Sequence, residues 1–210
     1  MSWPAGISGI FDRGIFNVVK IRSILDKIYA VIEHNMSSSN IGARKGRNIC
    51  DHLFVINSIL QEVSENKKKN VDVEIYDIKK CFDKMWASET ANDMFKAGLN
   101  DDTFVLVANS NSECQVEVKT PWGTLTKRKT LTNIEMQGGV LTPLKCSVQI
   151  DTLGKETLES SECGKAMYKY RDCVKIPALS SVDDILSVTE CGLSSVKMNA
   201  YVQSKVDTIR

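Results

Sequence analysis

Hydrophobic periodicity divides the first 70 residues into two predicted helices. Between residues 14 and 35, apolar side chains recur at steps of three or four, and a polar cluster at 37–40 ends the run. A compact basic loop follows. The same helical spacing then returns in five apolar residues: Ile49, Leu53, Ile56, Leu60 and Val63. We therefore predict a long amphipathic helix on each side of the basic loop, the second of them ending in a solvated, lysine-rich turn.

The periodicity changes from helical to strand-like after residue 70. Val71, Val73 and Ile75 alternate with polar residues, which is typical of a strand with one buried face. The alternation stops at Asp77, and the segment Ile78–Asp83 follows directly. The pattern therefore places Asp77 at the end of a predicted strand.

The second half of the chain mixes helical and strand patterns. Three further helices are predicted, at residues 88–98, 137–155 and 194–207. Apolar residues flank a turn at 120–123 as the strands of a hairpin. Strand segments at 174–176 and 185–188 lie on either side of the acidic pair Asp183 and Asp184. This pair therefore falls at a predicted strand–turn–strand junction.

Composition indicates a folded protein and argues against disorder and against a membrane span. The chain has 210 residues, of which 42% are hydrophobic and 25% are charged, as in ordinary globular domains. No apolar run has the length that a membrane-spanning helix needs, and the first 14 residues lack the features of a signal peptide. We therefore expect an intracellular protein, in the cytoplasm or the nucleus, with no membrane partner.

Charge is distributed unevenly although the formal net charge is only +1. Residues 1–70 carry ten basic and six acidic groups, whereas residues 71–210 carry seventeen basic and twenty acidic groups. This division is expected if the first part contacts phosphates and the second holds cations, but a chance imbalance of solvated surface gives the same counts. The seven cysteines form no CxxC pair and only His34 and His52 accompany them, which favours reduced thiols over a zinc site.

The acidic residues at the strand ends have the chemistry of a two-cation site. Carboxylate oxygens are the preferred ligands of Mg²⁺, and enzymes of nucleotidyl transfer hold two such ions. Asp77 could share ions with Asp183 and Asp184 if their strands lie side by side, about 5 Å apart. Taken singly, an Asp at a strand end is also typical of a turn former or helix cap, and an Asp-Asp pair of a solvated turn.

The order of motifs along the chain separates these interpretations. Five motifs follow one another: Arg13-Gly14-Ile15, the basic loop Gly42–Arg47, Asp77–Asp83, Gln137-Gly138 with Thr142-Pro143, and Val182-Asp183-Asp184. The set resembles the reverse transcriptase domain of non-LTR retrotransposons of the long interspersed element type, from about residue 13 to the end.

The resemblance implies an α+β fold in which an antiparallel polymerase palm sheet is backed by helices and joined to fingers. Residues 1–70 would form the fingers, with the N-terminal part incomplete. Residues 71–210 would form the palm, with a fingers insertion at about 88–134, and the chain would end before the thumb. The implied activity is RNA-directed DNA polymerisation, in which deoxynucleoside triphosphates extend a DNA primer along an RNA template.

The resemblance also implies a role for each matching residue. Asp77, Asp183 and Asp184 would be catalytic and would bind Mg²⁺, or Mn²⁺ in its place. Phe82 would act as a steric gate against ribonucleotides, although a core aromatic fits the same position. The other implied contacts are nucleotide binding by Arg13, Gln137 and Gly138, and nucleic-acid binding by Arg44, Lys45 and Arg47. A helix-entry loop and a solvated basic loop are the respective alternatives.

Departures from the family pattern support a second hypothesis. Ser181 stands where most relatives carry an aromatic residue, two positions before the first Asp of the pair. The expected thumb, part of the fingers and an endonuclease domain do not occur in these 210 residues. The alternative is therefore an inactive or co-opted fragment that binds nucleic acid or a protein partner without catalysis.

Overall fold

The computed structural model describes residues 14–66, 70–109, 114–116, 119–124, 129–131, 139–160, 163–190 and 192–208. Its helices are α1 (Gly14–Asn35), α2 (Ile49–Glu65), α3 (Cys81–Lys84), α4 (Ala87–Lys96), α5 (Asp101–Asn109), α6 (Thr142–Glu159), α7 (Cys163–Ala166) and α8 (Gly192–Thr208). Its strands are β1 (Asp72–Asp77), β2 (Cys114–Val116), β3 (Lys119–Thr120), β4 (Gly123–Thr124), β5 (Lys129–Leu131), β6 (Lys169–Tyr170), β7 (Val174–Lys175), β8 (Leu179–Ser181) and β9 (Asp184–Thr189). Across these ranges, no helix has the combination of length and apolar character that crossing a bilayer requires.

The main sheet has three antiparallel strands in the order β1-β9-β8. Strands β1 and β9 pair along their full lengths, from Asp72 opposite Thr189 to Asp77 opposite Asp184. Three small antiparallel ladders join β2 to β5, β3 to β4 and β6 to β7. The predicted mixture of helices with antiparallel sheet is therefore confirmed, and β1 lies beside the strand that follows the acidic pair.

Helix α6 lies at the centre of the molecule because two hydrophobic clusters share it. One cluster joins it to α1, α4 and α5 through Ile28, Ile32, Met36, Met94, Leu99, Val107, Leu144 and Val148. The other joins it to the main sheet and α3 through Ile78, Cys81, Met85, Cys146, Ile150, Leu153, Ala178 and Ile185. Successive turns of α6 thus bury side chains on opposite faces, which explains why most of this helix is buried.

The basic loop between α1 and α2 ends in a capping box. The Asn48 side chain accepts a hydrogen bond from the backbone N–H of Cys50 at 2.8 Å. In return, the Asp51 side chain accepts one from the backbone N–H of Asn48 at 3.4 Å. These bonds satisfy donors that the first helical turn leaves open, so α2 begins at Ile49, as the periodicity predicts.

One predicted strand is assigned wrongly by the sequence pattern. The strand that enters the acidic turn is β8, Leu179–Ser181, and not the segment 174–176. Val174 and Lys175 pair instead with Tyr170 and Lys169 in a separate hairpin. Pro177 lies between the two segments, and its missing N–H interrupts strand pairing. Helix α5 was not predicted, because its apolar residues span little more than two turns.

Candidate active site

Three carboxylates meet at one end of the main sheet. Asp77 is the last residue of β1 and lies directly opposite Asp184, the first residue of β9. Asp183 precedes Asp184 in the turn from β8. Directly opposed residues of antiparallel strands have their Cα atoms about 5 Å apart and point to the same face. The structure thus places Asp77 and Asp184 side by side, with Asp183 next to Asp184 in the turn.

No described side chain neutralises this acidic end. Within the described residues, none of the three carboxylates has a hydrogen-bond or ion-pair partner. The pKa of Asp184 is raised above its ordinary value, first by desolvation and then by the negative charges of Asp183 and Asp77. The three like charges therefore repel one another, and a bound cation would relieve that repulsion.

The donor set suits a hard divalent cation, although the side chains are not oriented as a finished cage. Over the described ranges, no three His, Cys, Asp or Glu side chains converge closely enough to hold a metal ion. Asp77 and Asp184 are exposed and Asp183 is half-buried, so their carboxylates have room to rotate. Oxygen ligands of this kind match Mg²⁺ chemistry. The backbone thus brings the three aspartates to one sheet end, and their side chains would have to rotate to share a cation.

The turn that carries Asp183 has a strained backbone. Val182 has φ 56°, in the left-handed region that a β-branched residue rarely adopts. Ser181 and Asp184 pair across the turn, so Val182 and Asp183 form a two-residue hairpin loop. Tight loops with a positive φ at the first central position usually have glycine there. The surrounding structure must therefore hold Val182 in place.

A pair of thiols lies beneath this turn. The Sγ atoms of Cys81 and Cys146 are 3.1 Å apart, and the Cys146 thiol is 3.5 Å from the carbonyl oxygen of Val182. The hydrogen bond from Cys146 lowers the pKa of the Cys81 thiol, while burial and the charges of Asp183 and Asp77 oppose this change. Cys146 of α6 thus contacts the acidic turn, and Cys81 of α3 contacts Cys146.

The placement of Arg44 differs from what the resemblance implies. Its side chain is only 4% exposed and makes two hydrogen bonds to the Glu33 carboxylate, at 2.7 and 2.9 Å. It also donates to the carbonyl oxygens of Ser37 and Asn40. The hydrogen bond from Arg44 holds the pKa of Glu33 below its ordinary value. The Arg44 guanidinium thus closes the loop, whereas the side chains of Lys45 and Arg47 are exposed.

The remaining predicted residues are only partly placed. Phe82 is half-buried and packs against the cluster that contains Cys81 and Cys146, so it is not wholly inside the core. Its role as a steric gate stays a prediction. The predicted nucleotide contacts Arg13, Gln137 and Gly138 lie outside the described residues.

The sequence analysis missed two buried polar residues near the turn, Asn40 and Ser147. Both side chains are completely buried, and they bond to each other and to Gly42. The polar cluster around Asn40 was interpreted only as the end of a helix. The usable signal was Gly42, a glycine that follows Asn40 closely and is typical of a close backbone approach.

Solved structures resemble this chain, whereas no protein-family model and no curated protein matches it. Telomerase from Candida albicans in complex with a TWJ fragment of telomeric RNA matches with a TM-score of 0.62 and 11% identity, over 89% of this chain and 32% of that one. The fold of this chain is therefore similar to that of the matched part of telomerase. At this identity the likeness shows the fold alone.

Two structures of telomerase from Candida tropicalis give the same result. The apo form, truncated from the C-terminal domain, matches with a TM-score of 0.56 and 15% identity, over 86% of this chain and 36% of that one. The complex with a TWJ fragment of telomeric RNA matches with a TM-score of 0.55 and 14% identity, over 85% and 29%. The chain therefore spans about a third of the length of these structures.

Proposed function

We propose that this chain is the polymerising region of a reverse transcriptase of the non-LTR retrotransposon type. The observation that carries the proposal is the pairing of Asp77 with Asp184, which sets three carboxylates at one sheet end within a reverse-transcriptase-type fold. In this proposal the sheet β1-β9-β8 with α6 and α8 is the palm, and α1 and α2 belong to the fingers. The reaction is addition of a deoxynucleotide to a primer 3′-hydroxyl, directed by RNA.

The three carboxylates would hold Mg²⁺, or Mn²⁺ in its place. A bound divalent ion would supply an activated 3′-hydroxyl and neutralise charge on the triphosphate. The chain itself contributes fixed backbone positions for Asp77 and Asp184, because β1 and β9 are paired up to their ends. Phe82, half-buried within α3, would limit the space beneath the incoming sugar and so favour deoxynucleotides.

The nucleic-acid partners are proposed from the exposed cations and from the neighbours. Two of the telomerase structures contain an RNA fragment. In this chain, Lys45 and Arg47 are exposed on the loop between α1 and α2, where they would neutralise phosphates of an RNA template. A DNA primer and deoxynucleoside triphosphates complete the proposed set of partners.

A second candidate function has one observation in its favour. The carboxylates are close in the backbone, yet no three-residue metal cage is formed by the described side chains. A fragment that keeps the fold and binds nucleic acid through Lys45 and Arg47 without catalysis would have this arrangement. Direct measurement of cation binding and of primer extension separates the two functions.

The test is Mg²⁺-dependent primer extension on an RNA template, with the chain alone and with the chain joined to a helical thumb. Asp183→Asn keeps the size of the side chain and removes its charge, so extension should fall about 1,000-fold. Asp26→Asn, an exposed change in α1, is the matched control and should extend at the parent rate. Equal rates for Asp183→Asn and its parent would remove the polymerase proposal. RNA binding without extension in every form would favour the second function.

A further inference from the structure

The loop between α1 and α2 forms an edge beside the strand that leads into the acidic turn. The backbone N–H of Ser180 donates to the carbonyl oxygen of Ser39 at 3.0 Å. The N–H of Ile41 donates back to the carbonyl oxygen of Ser180 at 2.9 Å. These bonds make a parallel bridge between Asn40 and Ser180. The loop is thus fixed to β8, two residues before Val182.

Two buried polar side chains lock this loop to α6. Asn40 Nδ2 donates to the carbonyl oxygen of Ser147 at 2.8 Å, and Asn40 Oδ1 accepts from the N–H of Gly42 at 2.9 Å. The Ser147 hydroxyl lies 2.7 Å from the Gly42 carbonyl oxygen and 3.0 Å from Asn40 Oδ1. Both residues are completely buried, so each of these bonds is made where water cannot replace it.

The locked loop is in close contact with the backbone of Val182. A Cβ atom placed on Gly42 would lie 2.3 Å from the Val182 nitrogen and 2.3 Å from Ser147 Oγ. No side chain fits in that gap. On the other side, the Cys146 thiol is 3.5 Å from the Val182 carbonyl oxygen. The strained residue is therefore enclosed at its nitrogen by the loop and at its oxygen by α6.

The enclosure explains how Val182 keeps a positive φ. A β-branched residue released from these contacts would move to a negative φ, where its side chain is unhindered. Such a change would redirect the following peptide and so move the backbone of Asp183, since Asp183 is the other residue of the same two-residue loop. The backbone position of Asp183 thus depends on residues outside the acidic turn.

We propose that Asn40 and Ser147 are positioning residues for the cation site: by locking Gly42 against Val182, they hold the backbone of Asp183 next to Asp184, at the sheet end that also carries Asp77. The inference rests on the proposed function, because it concerns a cation held by these carboxylates. It adds residues that the sequence motifs do not identify, and it assigns them a role in cation affinity beyond their role in folding.

The test measures Mn²⁺ binding to the full 210-residue chain by electron paramagnetic resonance, so it needs no polymerase activity. Ser147→Ala removes the locking hydroxyl and should weaken Mn²⁺ binding at least about tenfold, the usual cost of losing a supporting residue behind metal ligands. Thr157→Val is the matched control on the same helix. Its hydroxyl is also buried but bonds only to the Leu153 carbonyl oxygen, so Mn²⁺ affinity should not change.

A pair of glycine variants tests the same contact from the loop. Gly42→Ala places a methyl group against Val182 and should weaken Mn²⁺ binding at least as much as Ser147→Ala. Gly154→Ala, with open space at its Cβ position, should bind as the parent does. Ser147→Cys keeps a donor of similar size and should restore part of the affinity. If the circular dichroism of Ser147→Ala shows that this variant does not fold like the parent, the Mn²⁺ affinity of Ser147→Cys is compared with that of Thr157→Val instead.

Two results would overturn the inference and can be told apart. If Ser147→Ala and Thr157→Val both bind Mn²⁺ with the affinity of the parent while Asp183→Asn does not bind it, the cation site stands and the positioning role is wrong. If Asp183→Asn binds Mn²⁺ as the parent does, the cation site itself is wrong and the proposed function fails with it. The inference is supported if Ser147→Ala and Gly42→Ala weaken Mn²⁺ binding while Thr157→Val and Gly154→Ala do not.

Discussion

Arg44 and the acidic end of the main sheet differ in how their charges are compensated. Arg44 is buried, and its guanidinium bonds to Glu33 and to two backbone carbonyl oxygens. Asp77 and Asp184 are exposed, lie side by side, and have no partner among the described residues. The hydrogen bonds of Arg44 offset the cost of burying its charge, whereas the negative charges of the aspartates repel one another without a described partner.

The comparison separates charges that build the fold from charges that are available to a ligand. A basic residue in a loop looks like a phosphate contact until its partners are known. An acidic pair in a turn looks like solvated surface until a third carboxylate is found opposite it. Each of the following experiments removes charge from named residues and tests whether that charge stabilises the fold or is available to a ligand.

The largest stability effect is expected for Arg44→Met. The change leaves Glu33 and two loop carbonyl oxygens without their donor, and removing one partner of a buried pair is strongly destabilising. Because Glu33 is 43% exposed, we expect a loss of about 2 kcal/mol rather than the full cost of a buried charge. In thermal unfolding the melting temperature should fall about 6 °C. Arg47→Met, at an exposed position, should change it by less than about 1 °C. Equal losses would mean that Arg44 is not structural.

The exposed cations of the same loop should behave in the reverse way. Lys45→Gln combined with Arg47→Gln should leave the melting temperature unchanged and weaken binding to single-stranded RNA about tenfold, because the two proposed phosphate contacts would be lost. The slope of log affinity against log salt should also become smaller by about 1.4, since each contact contributes about 0.7 on a single strand. Fluorescence anisotropy at several salt concentrations measures both quantities. An unchanged slope would place the RNA contact elsewhere.

Asp93 is an intermediate case, a buried carboxylate that, within the described part of the chain, is ion-paired with Lys96 at 3.6 Å. Desolvation raises its pKa to about 6, with Lys96 offsetting part of the shift. The folded state therefore holds the proton more tightly than the unfolded state, and this contribution to stability is lost as pH rises from about 4 through 6. Relative to Asp93→Asn, the parent should lose about 3 °C of melting temperature between pH 4 and 7. A difference that does not vary with pH would contradict the shift.

The smallest effect is expected at the acidic end itself. Asp184→Asn removes one of three repelling charges, so stability should stay the same or rise by less than about 0.5 kcal/mol. A clear loss of stability in Asp184→Asn would show that this carboxylate has a structural partner after all.

The backbone of the acidic site could be predicted from sequence because short-range patterns determine it. Alternation ends β1 at Asp77, although Val73 and Ile75, which the pattern placed on a buried face, are exposed. The apolar run after the acidic pair predicts β9, so for these two strands the pairing remained to be shown. The position of β8 was missed because two apolar segments compete for it, and Pro177 decides between them. Local hydrophobic patterns do not show which of two apolar segments pairs with β9.

The role of Arg44 and the lock formed by Asn40 and Ser147 could not be predicted in the same way. Ser147 lies 107 positions from Asn40, and no local pattern links them. The partners of Arg44 include backbone carbonyl oxygens, which every residue has and which sequence therefore cannot distinguish. Such contacts exist only once α1, the loop and α6 have packed together.

The sharing of α6 between two hydrophobic clusters has a consequence for cooperativity. Leu144 and Val148 belong to the cluster with α1, while Cys146 and Ile150 belong to the cluster with the sheet. Neither cluster can come apart without exposing one face of the same helix. The two halves of the molecule should therefore melt in a single transition, and the amide protons of α6 should be among the last to exchange with solvent.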